Sequence, residues 1–90
     1  MARVAVVMKV LPSSVEITPQ QLLEKIKEAL PSDYQIMGSG EEPIAFGLKA
    51  LKVIISIPEE TEGGTEKLEE LIKNIDIVEE VEVETVHRLS

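Results

Sequence analysis

The sequence contains no cysteine and no tryptophan, and its aromatic residues are one tyrosine and one phenylalanine. The absence of cysteine excludes disulfide bonds, thiolate zinc sites and thiol nucleophiles. The longest apolar run, Val53 to Ile57 with a serine inside it, is far shorter than the roughly 20 residues of a membrane-spanning helix. The first residues also lack the apolar core and small-residue cleavage site of a signal peptide. We therefore expect a cytoplasmic protein that has no membrane partner.

Basic residues are also scarce. Nine Lys and Arg stand against seventeen Asp and Glu, which gives a net charge of −8. This sign opposes the electrostatic attraction that drives nucleic-acid binding. RNA-recognition sheets also stack bases on aromatic rings of their central strands. The corresponding positions here carry no ring: Ala5, Val7, Lys52 and Ile54. We expect no direct binding of nucleic acid and an acidic surface that steers the protein toward a basic partner.

What the chain does contain is aliphatic residues in regular patterns. Its 90 residues are 43% hydrophobic and 29% charged, which is ordinary for a globular domain. A chain of this length forms one core, so residues 1–90 are predicted to be a single domain. Because aromatic residues are nearly absent, that core must be built from Val, Ile, Leu and Met.

The first half of the chain begins with a strand and a helix. Residues 2–11 alternate between aliphatic and other side chains, a pattern typical of a half-buried strand. The predicted inward face is Val4, Val6, Met8 and Val10. A helix is predicted to begin at Thr18, because Gln21 completes a capping box and Pro19 occupies the first turn. Pro31 ends this helix.

The remaining elements are predicted, in chain order, as a short irregular edge strand, a long strand, a helix and a last strand: the centre of 33–42, then 48–57, a helix from about Thr65, and 78–88. The first of these is weak, because Gly38 and Gly40 limit its length. In the last strand, strict alternation places Val81, Val83 and Thr85 on one face. The opposite face is then Glu82, Glu84, Val86 and Arg88.

The order β-α-β-β-α-β predicts the fold. Two right-handed β-α-β crossovers joined in this way give an α+β, ferredoxin-like sandwich. It consists of a four-stranded antiparallel sheet with two helices on one face, and the first and third strands lie at its centre. On the open face of the sheet, basic side chains are expected beside acidic ones of the last strand: Arg3 and Lys9 beside Glu82 and Glu84.

Little in the sequence supports covalent chemistry. The only histidine, His87, has no obvious serine partner. Acidic residues cluster at 59–62 and 79–84, but neither cluster has the ligand spacing of a calcium-binding loop. Gly63-Gly64-Thr65 leads into a helix, where an anion can bind, but the carboxylates around it favour simple capping. We expect no catalytic residue, no metal site and no cofactor.

Two other features suggest binding. The first is Phe46, which lies between Pro43 and Gly47 and follows Ile44 closely. An aromatic side chain here is compatible with a core position and equally with an exposed anchor in a rigid turn. Counting along the strand places it on the face opposite Leu51, away from the helices, which favours the anchor.

The second feature is the basic pair His87-Arg88, close to the end of an acidic strand. A solvated, frayed end is the ordinary interpretation of such a pair. A cation held at the edge of a sheet is also suited to enter an anion-rich site on a partner.

Four segments of the chain form a familiar set: ARVAVVMKVLP at the start, EEPIAFGLKALKV in the middle, EGGTE before the second helix and VHRL near the end. Together they resemble the short archaeal members of the elongation factor 1-beta family, which are guanine-nucleotide exchange factors for elongation factor 1-alpha. The central segment is the most specific of the four. The resemblance implies a ferredoxin-like domain that displaces GDP from this GTPase and binds it in both its GDP-bound and nucleotide-free states.

The resemblance also implies which residues bind the partner. In the family, the aromatic residue of the PIAFG segment docks in a hydrophobic pocket of the GTPase, which corresponds to Phe46 with Ile44 and Gly47 beside it. A basic residue near the end of the chain approaches the magnesium and phosphate site, which corresponds to Arg88 beside His87. Eukaryotic relatives carry Lys at this position, so the arginine is a departure from the family's pattern.

Two other functions of the same fold are alternatives. A regulatory small-ligand domain would be favoured by a Gly-rich loop after the first strand, and an acylphosphatase-like enzyme would need an arginine in a phosphate cradle there. The residues at that place, Leu11 to Ser14, supply neither. Nucleotide exchange is therefore the predicted function, and small-ligand binding is the alternative.

Overall fold

The computed structural model describes residues 2–60 and 64–89. The predicted loop residues Glu62 and Gly63 therefore lie outside the described residues. Its elements are β1 (Arg3–Pro12), α1 (Pro19–Ala29), β2 (Gln35–Pro43), a 3₁₀ turn (Ala45–Gly47), β3 (Lys49–Pro58), α2 (Thr65–Lys73) and β4 (Val78–Arg88).

The four strands form one antiparallel sheet in the order β2-β3-β1-β4. The ferredoxin-like α+β fold is thus confirmed, and β1 and β3 lie at the centre as predicted. The central pair is in regular register, from Arg3 opposite Pro58 to Val10 opposite Leu51. This uninterrupted ladder makes β1 and β3 the frame to which both edge strands are attached.

The core lies between the helices and one face of the sheet. Alternate residues of β1 and β3 point into it, as the period of two dictates. It is closed by one pair of aliphatic residues from each helix: Leu22 and Ile26 from α1, Leu68 and Ile72 from α2. Each such side chain contributes about 1.5–3 kcal/mol when fully buried. Tyr34 is the one aromatic residue in this otherwise aliphatic core.

The predicted start of α1 is confirmed in detail. The Thr18 Oγ1 accepts a hydrogen bond from the Gln21 backbone N at 3.1 Å, and the Gln21 Oε1 accepts one from the Thr18 backbone N at 2.9 Å. Pro19 occupies the first helical position, where its missing N–H is not needed. The helix ends at Ala29, and Leu30 caps it before Pro31.

The prediction that residues 33–42 form only a short strand is wrong, because β2 runs over nine residues. Gly38 and Gly40 lower the intrinsic strand preference, but β3 supplies a backbone partner along the whole length of β2. The irregularity is confined to a register shift between Ile36 and Gly38. Met37 lies in this bulge and is exposed.

The predicted faces of β4 are wrong beyond Val83. The register shifts between Val7 opposite Thr85 and Met8 opposite Val83, so Glu84 is an extra residue in β4. Such a bulge moves every later side chain to the other face of the sheet. Thr85 and His87 therefore share the open face with Val7, whereas Val86 and Arg88 share the helix face of β1. Strict alternation could not reveal this shift.

Candidate partner-binding site

The segment around Phe46 is a tight turn that joins β2 to β3. The Ile44 backbone N donates to the Leu48 carbonyl oxygen at 2.9 Å, and the Leu48 N donates to the Ala45 carbonyl oxygen at 3.3 Å. Gly47 has a φ of 78°, a conformation that glycine adopts without a steric penalty. Ile44 is half-buried under the turn, so it supports the turn more than it extends from it.

Phe46 is the exposed tip of this turn. Its backbone lies in the left-handed region, at φ 63° and ψ 30°, and its side chain is 93% exposed. Within residues 2–60 and 64–89 it is the one non-glycine residue with a positive φ. A bulky residue held in this region costs about 1–3 kcal/mol. The core position for Phe46 is therefore excluded, and its assignment to a strand face is corrected to a turn.

Val15 lies at the same end of the molecule, and the sequence analysis did not select it. Its side chain is 61% exposed, and it shares with Gly47 the lining of a depression of about 190 Å³. An aliphatic residue in the polar loop between β1 and α1 was the available signal. We call Val15, Ile44, Phe46 and Gly47 the turn surface.

The basic pair His87-Arg88 lies at the last two paired positions of β4. His87 is opposite Ala5 on the open face, and Arg88 is opposite Val4 on the helix face. Both are exposed, and the Leu89 backbone N donates to the Arg3 carbonyl oxygen at 2.9 Å beyond them. The two basic residues therefore point to opposite faces.

Arg88 has apolar neighbours that the sequence analysis also missed. Val86 lies two residues before Arg88 on the same face and is 49% exposed, and Leu89 is 44% exposed. The predicted alternation placed Val86 correctly beside Arg88 but on the wrong face of the sheet. We call Val86, His87, Arg88 and Leu89 the basic surface. It combines an arginine, a residue type enriched in interface hot spots, with exposed apolar area.

The turn surface and the basic surface lie at opposite ends of the sheet. Lys49, next to the turn, begins β3, and Pro58 ends it nine residues later beside the basic surface. At about 3.3 Å per residue this strand is about 30 Å long. The molecule measures 41 × 20 × 17 Å along its principal axes. The structure does not bring Phe46 and Arg88 together, so a partner that contacts both must extend along the long axis.

The open face between the two surfaces carries ion pairs across the strands. The Lys9 Nζ is 2.7 Å from a Glu42 carboxylate oxygen, and the Lys52 Nζ is 2.9 Å from one of Glu84. Lys52 also lies 3.7 Å from Glu42. Hydrogen bonds to Glu42 and Glu84 raise the pKa of Lys9 and Lys52 respectively, and the hydrogen bond from Lys9 lowers the pKa of Glu42.

The predicted charge pairs of this face are therefore only partly right. Glu84 does bind a basic residue of the sheet, but that residue is Lys52 of β3. Arg3 is directed away from β4, toward β3 and the residues before β2. Its Nε donates to the Ser56 Oγ at 2.6 Å and its Nη2 donates to the Asp33 carbonyl oxygen at 2.7 Å. Lys9 lies opposite Glu82, as predicted, but its ion pair is with Glu42 of β2, which is longer than predicted.

One polar atom of the core is notable. The Tyr34 hydroxyl is buried and has no hydrogen-bond partner within the described residues. A depression of about 550 Å³ lies on that side of the molecule, lined in part by Lys27, Leu30 and Tyr34. Because the hydroxyl is shielded from solvent, it offers no hydrogen bond to a molecule in this depression.

Among residues 2–60 and 64–89, no group of three or more His, Cys, Asp or Glu side chains is placed to hold a metal ion. No helix in these two ranges is long and apolar enough to cross a membrane.

Fold and site together define a small α+β domain with an exposed aromatic turn at one end of its sheet and an exposed basic pair at the other. The model of the EF-1 guanine nucleotide exchange domain family matches residues 5–89. The chain belongs to this family of exchange domains.

Similar proteins agree with this assignment. The chain is 62% identical over 89 residues to the elongation factor 1-beta of Aeropyrum pernix, covering 99% of each protein. It is 60% identical over 90 residues to the elongation factor 1-beta of Hyperthermus butylicus, covering 100% of this chain and 98% of the relative. Among solved structures, it resembles the C-terminal domain of the MgtC protein of Mycobacterium tuberculosis. That match has a TM-score of 0.57 and 13% identity, and it covers 97% of this chain and 87% of the other, which indicates a shared fold only.

Proposed function

We propose that this domain promotes release of GDP from the elongation factor 1-alpha GTPase, so that GTP can rebind during polypeptide elongation. Membership in the exchange family supports the activity. The structural observation that carries the proposal is Phe46, which is 93% exposed in a left-handed conformation. Neither property stabilises the free domain. Both are explained if the ring is an anchor for a partner.

In this proposal the turn surface supplies affinity. Phe46 enters an apolar pocket of the GTPase, while Gly47 and the hydrogen bonds of the turn fix the backbone from which the ring extends. A rigid aromatic side chain loses little conformational freedom on binding, which makes it an effective anchor. Val15 extends the apolar contact, and Ile44 supports the turn from below.

The basic surface would then act on the nucleotide. Magnesium neutralises the phosphates of GDP, so a cation that intrudes on the magnesium site weakens the hold of the GTPase on the nucleotide. Arg88 is the side chain we assign to this role, whereas His87, the residue before it, points to the opposite face of the sheet. An arginine is charged at all physiological pH values and its donors match phosphate and carboxylate groups.

Such an exchange factor must bind its partner both with GDP and without nucleotide. Coupling between two ligands of one protein is reciprocal, so a domain that weakens GDP binding is itself released when nucleotide rebinds. The domain is therefore not consumed. No covalent bond is made or broken, so we assign it no enzymatic chemistry and no cofactor of its own.

The extent of the domain, its location in the cell and the role of its charge belong to the same proposal. Residues 1–90 would act as a single exchange domain, in the cytoplasm, where translation takes place. The net charge of −8 would favour encounter with a basic face of the GTPase. Small-ligand binding, the alternative, has no specific observation in its favour.

Release of fluorescent GDP from a matched archaeal elongation factor 1-alpha tests the proposal. The nucleotide complex is mixed with excess unlabelled GDP, with and without the domain at about a tenth of the GTPase concentration. At this ratio each domain molecule must act on several GTPase molecules to accelerate the whole release. We expect complete release at an increased rate. A rate equal to that without the domain would contradict the proposed function.

A further inference from the structure

The guanidinium of Arg88 is turned toward its own domain. Its Nη2 lies 3.2 Å from a carboxylate oxygen of Glu59. Arg88 belongs to β4 and Glu59 follows β3, and β1 lies between these strands in the sheet. The ion pair therefore crosses over the end of the central strand.

The backbones on both sides of this ion pair are fixed to β1. The Glu59 backbone N donates to the Ala2 carbonyl oxygen at 3.1 Å, and the Leu89 N donates to the Arg3 carbonyl oxygen at 2.9 Å. Residue 59 and residue 88 are thus held at a set separation by strand-type hydrogen bonds. The contact between their side chains follows from the way the sheet ends.

We propose that Glu59 restrains Arg88 in the free domain, and that the partner must displace this carboxylate before Arg88 can act. The inference rests on the proposed function, because it assumes that Arg88 enters an anion-rich site. A guanidinium binds carboxylate and phosphate oxygens through the same planar set of N–H donors. Glu59 and the anionic groups of the partner therefore compete for Arg88.

The restraint is weak enough to be reversed by binding. The side chain of Arg88 is 68% exposed and that of Glu59 is 36% exposed. An exposed ion pair changes an equilibrium constant by at most about fivefold. Glu59 thus reduces the fraction of domain with an available arginine without blocking exchange.

Glu60 provides a matched control. It is the next residue along the same turn, is exposed and carries the same charge. Glu59→Gln and Glu60→Gln change the net charge equally, so both alter the general attraction to the GTPase to the same extent. Of these two substitutions, Glu59→Gln removes a carboxylate that is paired with Arg88.

The kinetic test measures domain-stimulated release of fluorescent GDP at domain concentrations below saturation. We expect Glu59→Gln to stimulate about two- to fivefold more than Glu60→Gln. In an Arg88→Ala background, Glu59→Gln should have the same effect as Glu60→Gln. Equal stimulation by the two single variants, weaker stimulation by Glu59→Gln, or an effect that persists without Arg88 would overturn the restraint.

A second measurement needs no partner. The ¹⁵N order parameter of the Arg88 Nε reports side-chain motion on the picosecond-to-nanosecond timescale. The order parameter should fall in Glu59→Gln and stay unchanged in Glu60→Gln. Equal order parameters in the two variants would overturn the restraint but leave the proposed function standing. If the wild-type domain fails to stimulate GDP release, the proposed function fails and the role of Glu59 in exchange fails with it. Failure of the proposed function therefore appears as no stimulation by the wild-type domain. Failure of the restraint appears as equal order parameters in the two variants.

Discussion

The turn surface and the basic surface lie at the two ends of one sheet, but they are held by different kinds of contact. The turn surface is fixed by backbone hydrogen bonds between Ile44, Ala45 and Leu48 and carries strain at Phe46. The basic surface presents Arg88, whose side chain is held by an exposed ion pair. A rigid end is suited to provide affinity, and an adjustable end is suited to reach into a site that changes during exchange.

Removal of the Phe46 ring should have the largest effect on partner binding. Phe46→Ala should weaken binding to nucleotide-free GTPase by about 2 kcal/mol or more, which is about 30-fold in Kd, because a buried aromatic hot spot would be lost. Because the ring is exposed in the free domain, the substitution should change the melting temperature of the domain little. Isothermal titration calorimetry and thermal unfolding measure the two quantities. A large loss of stability with unchanged affinity would contradict the assignment.

Removal of the cation should have the next largest effect. Arg88→Ala should reduce the release rate at saturating domain by about tenfold, which corresponds to about 1.4 kcal/mol of lost barrier reduction. Arg88→Lys should restore part of the rate, since the charge remains while the planar donor geometry is lost. Stopped-flow fluorescence provides the rates. A saturated rate that is identical in all three proteins would exclude Arg88 from this role.

The strain at Phe46 offers a sharper test of the turn. Phe46→Gly should stabilise the free domain by up to about 1 kcal/mol, because glycine relieves the left-handed strain but adds entropy to the unfolded chain. Affinity for the GTPase should nevertheless fall as in Phe46→Ala. Urea unfolding of the two variants provides the comparison. A glycine variant less stable than the alanine variant would show that the left-handed conformation is not strained.

The ion pairs between the two ends should produce the smallest effect. The pKa of Glu42 is lowered below its ordinary value of 4.5 by the hydrogen bond from Lys9. Its contribution to stability is therefore present above that value and is lost as the pH falls through the lower pKa of the folded state. The melting temperatures of wild type and Glu42→Gln should differ at pH 7 and converge in acid. Nucleotide exchange at pH 7 should be unchanged, since neither end is altered.

The fold was largely predictable because its determinants are local patterns. The alternation in β1, the capping box of Thr18 and Gln21, and the helix predicted from about Thr65 each agree with the structure. The length of β2 was not predictable from its composition. It depends on hydrogen bonds from β3, which outweigh the low strand preference of its glycines.

Phe46 and Arg88 were selected from the sequence, but Val15, Leu89 and the geometry of the candidate site were not. The flanking Pro43 and Gly47 indicated a turn, yet only the backbone shows that Phe46 is left-handed and fully outside the core. The bulge at Glu84 moves Val86 and Arg88 to the other face, and no residue type in β4 marks its position. The contact between Glu59 and Arg88 joins two strands that are not neighbours, which local patterns cannot indicate.

The central claim is that the turn surface provides affinity and the basic surface provides release. It is tested most directly by measuring the rate of GDP release as a function of domain concentration for wild type, Phe46→Ala and Arg88→Ala. The account predicts that Phe46→Ala raises the half-saturating concentration and keeps most of the maximal rate. It predicts that Arg88→Ala lowers the maximal rate and leaves the half-saturating concentration nearly unchanged. If both substitutions change the same parameter to the same extent, the two ends do not have separate roles and the account is contradicted.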